Sequence, residues 1–185
     1  MKNNKSLTLE DIGRCAIIIQ ARMSSRRFPG KMMSCLYNNV PLIEYVYERC
    51  KKSSVKNILV ATSVDKSDDE LYDYCKKKNI LVTRGSLDDV LKRYVQTADS
   101  IAADYIVRVC GDTPFVDVSL IDMLLGILIR EKLDYASFNR QTCASAFFSE
   151  AITLGALKKV LILASNKEDF EHVTKYIVDN RGKFL

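Results

Sequence analysis

Two periods of apolar spacing alternate along this chain. CAIIIQA (residues 15–21) is a continuous apolar run, and NILVAT (57–62), residues 80–83, YIVRVC (105–110), residues 133–138 and residues 146–153 read as further strands. Runs of this kind with few polar interruptions predict strands covered on both faces. Between them the spacing changes to that of helices. Leu42, Tyr45, Val46 and Arg49 share one side of a helix over 41–51, and DDELYDYCKKK (68–78) opens with acids and closes with lysines, matching the helix dipole. Ser86 is an expected N-cap for a helix through residue 99, with Asp88 and Asp89 in its first turn; helices over 118–131, 155–164 and 169–180 follow. Strand–helix alternation from end to end predicts an α/β fold with a largely parallel sheet. Tyr94 and Tyr105 are expected in the core, and the acidic run 65–73 as a loop and a solvated first turn.

Composition narrows this without redirecting it. The 185 residues carry 28 Lys+Arg against 23 Asp+Glu, a net charge of +5, and 48% are hydrophobic, the balance of a globular domain able to bury a core. We expect one domain over residues 14–185 after a polar tail, 1–13. That tail has no signal-peptide pattern, and no apolar run reaches membrane-spanning length, so the expectation is a cytoplasmic protein without a membrane span. The six cysteines (Cys15, Cys35, Cys50, Cys75, Cys110 and Cys143) form no C-x-x-C pair and accompany one histidine. They read as buried small hydrophobes in a reducing compartment and exclude a zinc site of ordinary spacing.

Two loops carry chemistry. The first strand runs into ARMSSRRFPGK (21–31), with the cations Arg22, Arg26, Arg27 and Lys31, the hydroxyls of Ser24 and Ser25, and no acid. Guanidinium forks and a lysine point charge at the carboxyl end of a parallel strand suit a polyphosphate; a solvated basic loop is the alternative. The Walker A and dinucleotide glycine patterns are absent, while Pro29-Gly30 predicts a turn aiming Lys31 back at the strand end. The second loop, Gly111-Asp112-Thr113-Pro114, puts a carboxylate after another strand, where it reads either as an Asx-type turn or as one oxygen ligand of Mg²⁺ beside phosphate. Cations concentrated in one loop without interleaved stacking aromatics rank a nucleic-acid partner below these readings.

IIIQARMSSRRFPGK (17–31), ILVATSVDKSDD (58–69), TRGSLDDVLKRY (83–94), YIVRVCGDTPFVD (105–117) and EHVTKYI (171–177) together resemble, in order and spacing, the SpsF-type branch of the acylneuraminate and KDO cytidylyltransferases. The resemblance implies a three-layer α/β/α, Rossmann-like fold related to GT-A glycosyltransferases, usually dimeric. The reaction it implies joins a nucleoside triphosphate, commonly CTP, to a sugar such as a nonulosonic or other acidic one, releasing pyrophosphate. Alternatives are a sugar-1-phosphate nucleotidyltransferase using another triphosphate, or a non-catalytic nucleotide-binding or partner-binding paralogue. By the family pattern Arg22, Arg26 and Lys31 hold the triphosphate, with Ser24, Ser25 and the backbone at Ala21 and Gly111 beside it. Arg84, Gly85 and Ser86 lie near ribose or base, and Asp112 ligates Mg²⁺. Glu150 and His172 are substrate-side candidates; a packed or capping role is the other reading of His172. Departures are a missing acidic V-D-T-P-E-D motif, so that a domain without the family's C-terminal part is expected, and Phe170 where R-E-H-V-T has arginine.

Overall fold

The computed structural model describes residues 9–25, 27–139 and 147–185. A short helix α1 (Leu9–Gly13) leads into β1 (Cys15–Gln20). Its three isoleucines are wholly buried, at about 1.5–3 kcal/mol each. Cys15, Ile17 and Ile19 enter one apolar cluster and Ala16 and Ile18 the other, so both faces of the sheet are covered. The first cluster is built with α2 (Leu42–Cys50), α3 (Asp69–Lys77) and α5 (Val118–Arg130). The second is built with α4 (Val90–Asp99), α6 (Leu154–Leu163) and α8 (Lys175–Asp179).

The six-stranded sheet has the order β5-β4-β1-β6-β8-β7. Here β4 is Asn57–Ser63, β5 Val82–Gly85, β6 Tyr105–Cys110, β7 Tyr135–Ser137 and β8 Glu150–Thr153, while β2 (Cys35–Tyr37) and β3 (Val40–Pro41) form a separate hairpin. β5, β4, β1 and β6 are parallel; β8 is antiparallel to both neighbours. This is the expected mostly parallel, three-layer Rossmann-like fold. Among the described residues no helix is long and apolar enough to cross a membrane.

Several boundaries differ from the sequence pattern, each for a local reason. Asn79, at φ 56°, ends α3 in the left-handed region. Ile80 then donates to Cys75 O at 2.9 Å in the cap, so the next strand starts at Val82 rather than at residue 80. α4 starts at Val90 because Asp89, not Ser86, is the N-cap: its carboxylate accepts Lys92 N–H at 2.8 Å, while Ser86 Oγ accepts Asp89 N–H. The helix expected over 169–180 is two short ones, α7 (Lys167–Glu171) and α8, broken where Val173 turns left-handed at φ 48°. On α2 the buried side is Leu42, Ile43, Val46 and Cys50, and Arg49 instead donates twice to Val116 O. Asp68, within the acidic run, is fully buried. Burial pushes the thiols of Cys15, Cys50 and Cys75 up to about 12, keeping them neutral. Cys35, by contrast, is exposed, and Cys143 lies outside the described residues.

Candidate active site

From β1 the chain moves to β4 and β5 on one side, and β6 lies on the other. The connections therefore part between β1 and β6, and at such a switch point the carboxyl ends of the strands leave a crevice. A cleft of about 300 Å³ lies there. Gln20 and Cys110, which pair with each other at the ends of β1 and β6, form part of its wall, together with Arg22, Ser25, Arg27, Lys31, Asp112 and Glu171.

The loop after β1 is held from within. Met23 O accepts N–H groups from Ser25 and Gly30, both at 2.9 Å, closing the loop on itself. Met23 N–H in turn donates at 2.6 Å to Oδ1 of Asp68, whose Oδ2 accepts from Thr62 Oγ1, Ser63 N–H and Ser63 Oγ at the end of β4. One carboxylate thus ties the cationic loop to the neighbouring strand. Gly30 takes φ 74°, a conformation glycine adopts at no steric cost. The next residue, Lys31, reaches across the cleft to an ion pair with Asp112.

Asp112 is placed by a tight turn. Gly111 N–H donates to Gln20 O at 2.8 Å, and Thr113 N–H and Oγ1 both return to Cys110 O, ending β6. A Cβ on Gly111 would lie 2.9 Å from Met32 Sδ and 3.1 Å from Gln20 O, so only glycine brings this turn so close to β1.

The break between α7 and α8 supplies the opposite wall. Glu171 Oε1 accepts from Arg22 Nη2 at 3.4 Å. Beyond the left-handed Val173, Thr174 Oγ1 donates to both oxygens of the fully buried Glu150, at 3.1 and 3.2 Å. Glu150 also accepts from Tyr135 Oη and Arg108 Nη1, each at 2.6 Å. Burial works against the Arg108 charge, yet Cys110 and Glu150 beside it leave its pKa above the ordinary value. For Cys110 burial wins over the nearby guanidinium, and the thiol's pKa is raised.

The site residues expected from sequence divide into two groups. Arg22, Ser25, Lys31 and Asp112 line the cleft, joined by Arg27 and by Glu171, a residue sequence reasoning quoted without a role. Ala21 is buried and Gly111 packs beside it without lining the cleft, Ser24 is exposed, and Arg26 lies outside the described residues. The others are engaged elsewhere. Arg84 donates to Ser63 O, Asp65 O and Asp69, with its guanidinium 5.1 Å from the Tyr72 ring centroid. Gly85 packs on Arg93, a buried side chain that donates to Ser86 O at 2.6 Å and whose pKa burial lowers. Glu150 faces the interior, and His172 is exposed at the end of α7, its backbone N–H capping on Glu168 O. Gln20 was missed, although it is the sole polar residue in an otherwise apolar strand and sits at the carboxyl end.

Cations and a carboxylate that face each other at the switch point of a Rossmann-like sheet make a cleft suited to a polyphosphate. The model of the Cytidylyltransferase family matches residues 16–184, and the chain belongs to that family. It is 32% identical over 166 residues to the spore coat polysaccharide biosynthesis protein SpsF of Bacillus subtilis, covering 86% of this chain and 68% of that one. To the 3-deoxy-manno-octulosonate cytidylyltransferase of Pelobacter propionicus it is 31% identical over 132 residues, 69% of this chain and 48% of the relative. Among solved structures, a cytidylyltransferase from Leptospira borgpetersenii superposes with a TM-score of 0.87 at 30% identity, over 92% of this chain and 73% of the other.

Proposed function

We propose that this protein transfers CMP from CTP to an acidic sugar, with pyrophosphate as the second product, for surface-glycan synthesis in the cytoplasm. The observation that carries the reading is the Lys31–Asp112 ion pair, which joins the cationic loop and the second loop's carboxylate across one cleft. A triphosphate brings four or so negative charges into a site with Arg22, Arg27 and Lys31 on its walls, and charge-assisted hydrogen bonds to phosphate are the strong ones. On its arrival Lys31 turns from Asp112 to phosphate, and Arg22 from Glu171.

The donor set fits Mg²⁺. The described residues contain no group of three or more potential metal ligands, so no all-protein cage is built. Mg²⁺ does not need one: it keeps waters and takes one or two carboxylates plus phosphate oxygens, which Asp112 offers at the cleft. When bound, the ion supplies charge neutralisation on those oxygens. The protein's own part is positioning. A sugar hydroxyl oxygen bonds to the α-phosphorus and gives up its proton to water, the bond to the pyrophosphate oxygen breaks in line, and Arg22, Lys31 and Arg26 hold the phosphates while charge shifts to the leaving group. Arg84, Gly85 and Ser86 flank the nucleoside end, and Glu150 and His172 belong to the sugar side, Glu150 through the groups it holds.

The test is pyrophosphate release from CTP with 3-deoxy-manno-octulosonate and N-acetylneuraminate among a panel of acidic sugars, with and without Mg²⁺. Thermal shifts with CTP, UTP, GTP and ATP give the base preference, since a ligand of the folded state raises its stability. Preference for a purine triphosphate, or CTP binding without turnover on any sugar, rejects the cytidylyl-transfer reading.

A further inference from the structure

Gln20 ends β1 between Ala61 of β4 and Cys110 of β6 and is one of the residues lining the cleft. The amide is not free to choose which way it faces. Arg108 Nη2 donates to its Oε1 at 3.3 Å, and a guanidinium carries donors only, so the oxygen must point at Arg108. Arg108 is itself fixed by Glu150, and Glu150 by Tyr135 and Thr174. It keeps this orientation although its Nε is thereby buried with no partner among the described residues. With the amide oxygen committed inward, planarity turns Nε2 and its two N–H groups away from Arg108, and those N–H groups meet no acceptor among the described residues.

We infer that Gln20 is a ligand-binding residue of the cleft whose amide N–H groups donate to a phosphate oxygen of the bound nucleotide, and that Arg108 is the positioning residue that sets the amide's orientation. The choice of phosphate follows from the cations and hydroxyl that share the cleft, Arg22, Ser25, Arg27 and Lys31, the two carboxylates there, Asp112 and Glu171, being the ion-pair partners of Lys31 and Arg22. The inference rests on the triphosphate reading given under Proposed function. It adds a neutral, directional donor to a cleft whose other phosphate-binding groups are the cations Arg22, Arg27 and Lys31 and the Ser25 hydroxyl.

Two variants of the full chain test it by calorimetric titration with CTP. Gln20→Met keeps length and removes both donors; Gln20→Glu keeps an acceptor for Arg108, forms an ion pair with it, and presents oxygen where N–H stood. Both are expected to fold, with CTP bound about ten- to hundredfold more weakly, the loss of one hydrogen bond to a charged group, and with Gln20→Glu the weaker of the two. Cytidine, which has no phosphate, is expected to bind wild type and variants alike by saturation-transfer NMR. In ¹⁵N spectra the Gln20 side-chain amide peaks, identified by their loss in Gln20→Glu, are expected to shift on CTP addition in wild type and to stay in Arg108→Lys, which retains a charge for Glu150 but not the fork. Gln20→Met binding CTP within twofold of wild type overturns the inference, as does an equal loss for cytidine. Wild type binding neither CTP nor inorganic pyrophosphate overturns the triphosphate reading itself, and this with it.

Discussion

Replacing one buried oxygen tests how the cationic loop is held. Asp68 accepts four hydrogen bonds, one on Oδ1 from Met23 N–H and three on Oδ2 from Thr62 and Ser63. In Asp68→Asn the amide oxygen takes the place with three donors, and the NH₂ group faces Met23 N–H, donor against donor, where 2.6 Å separates the pair now. The lost bond to a charged acceptor costs about 1.5–3 kcal/mol, and the three others weaken by roughly 0.5 kcal/mol each as they change from charge-assisted to neutral. The sum is about 3–4.5 kcal/mol, a large fraction of an ordinary domain's stability. For a chain of this size that lowers Tm by roughly 6–18 °C. Calorimetry and urea unfolding measure the global loss. Hydrogen exchange locates it, with Met23, Ser25 and Gly30 amides losing protection while β1 amides fall only with global stability. A Tm within about 2 °C of wild type, or undiminished protection at Met23, refutes the argument that this carboxylate anchors the loop.

Asp112→Asn is expected to fold like wild type, because its side chain is half exposed, and to lose metal-dependent pyrophosphate release; retained turnover would show that no metal is held there. Lys31→Ala should weaken CTP binding by about 1.5–3 kcal/mol, read by titration, with little change in stability. Gly111→Ala should cost about 1–3 kcal/mol in chemical unfolding, because Gln20 O cannot move away from the added methyl, and should lower CTP affinity as Asp112 shifts. Glu44 is held below its ordinary pKa chiefly by the Tyr74 hydroxyl and also by Lys78. A depressed carboxyl contributes stability that is present above its unfolded pKa of about 4.3 and fades as pH falls through the lower folded value. The stability gap between wild type and Glu44→Gln should therefore be open at pH 7 and close below about pH 4, and a gap independent of pH would contradict the sign.

Much of this architecture was legible because the residues that decide it act locally. The run Ile17-Ile18-Ile19 has no polar position to turn to solvent, which marks a strand covered on both faces, and YIVRVC marks its neighbour to the residue. The cleft was legible from two loops because parallel strands leave their carboxyl ends on one edge. Other features depend on partners distant in sequence. Asp68 sits in a run of acids, and nothing local separates it from Asp65 or Asp69; its burial follows from the docking of Met23, 45 residues earlier. The helix expected over 169–180 satisfies helical spacing, but Thr174 gains the Glu150 carboxylate by leaving it, and Val173 takes up the turn. Likewise Glu150 shows an ordinary surface-type residue in sequence, and only the pairing of β6 with β8 sets it on Arg108.

The cleft also stores its own counterions. With Lys31 on Asp112 and Arg22 on Glu171, the ligand-free pocket is close to electrically balanced, and its cations are spared the mutual repulsion they would otherwise feel. An incoming polyanion therefore exchanges one set of partners for another instead of filling a bare positive well. Added salt weakens the resident pairs along with the new ones, so nucleotide affinity in this protein should decline with ionic strength more gently than a count of its basic side chains suggests.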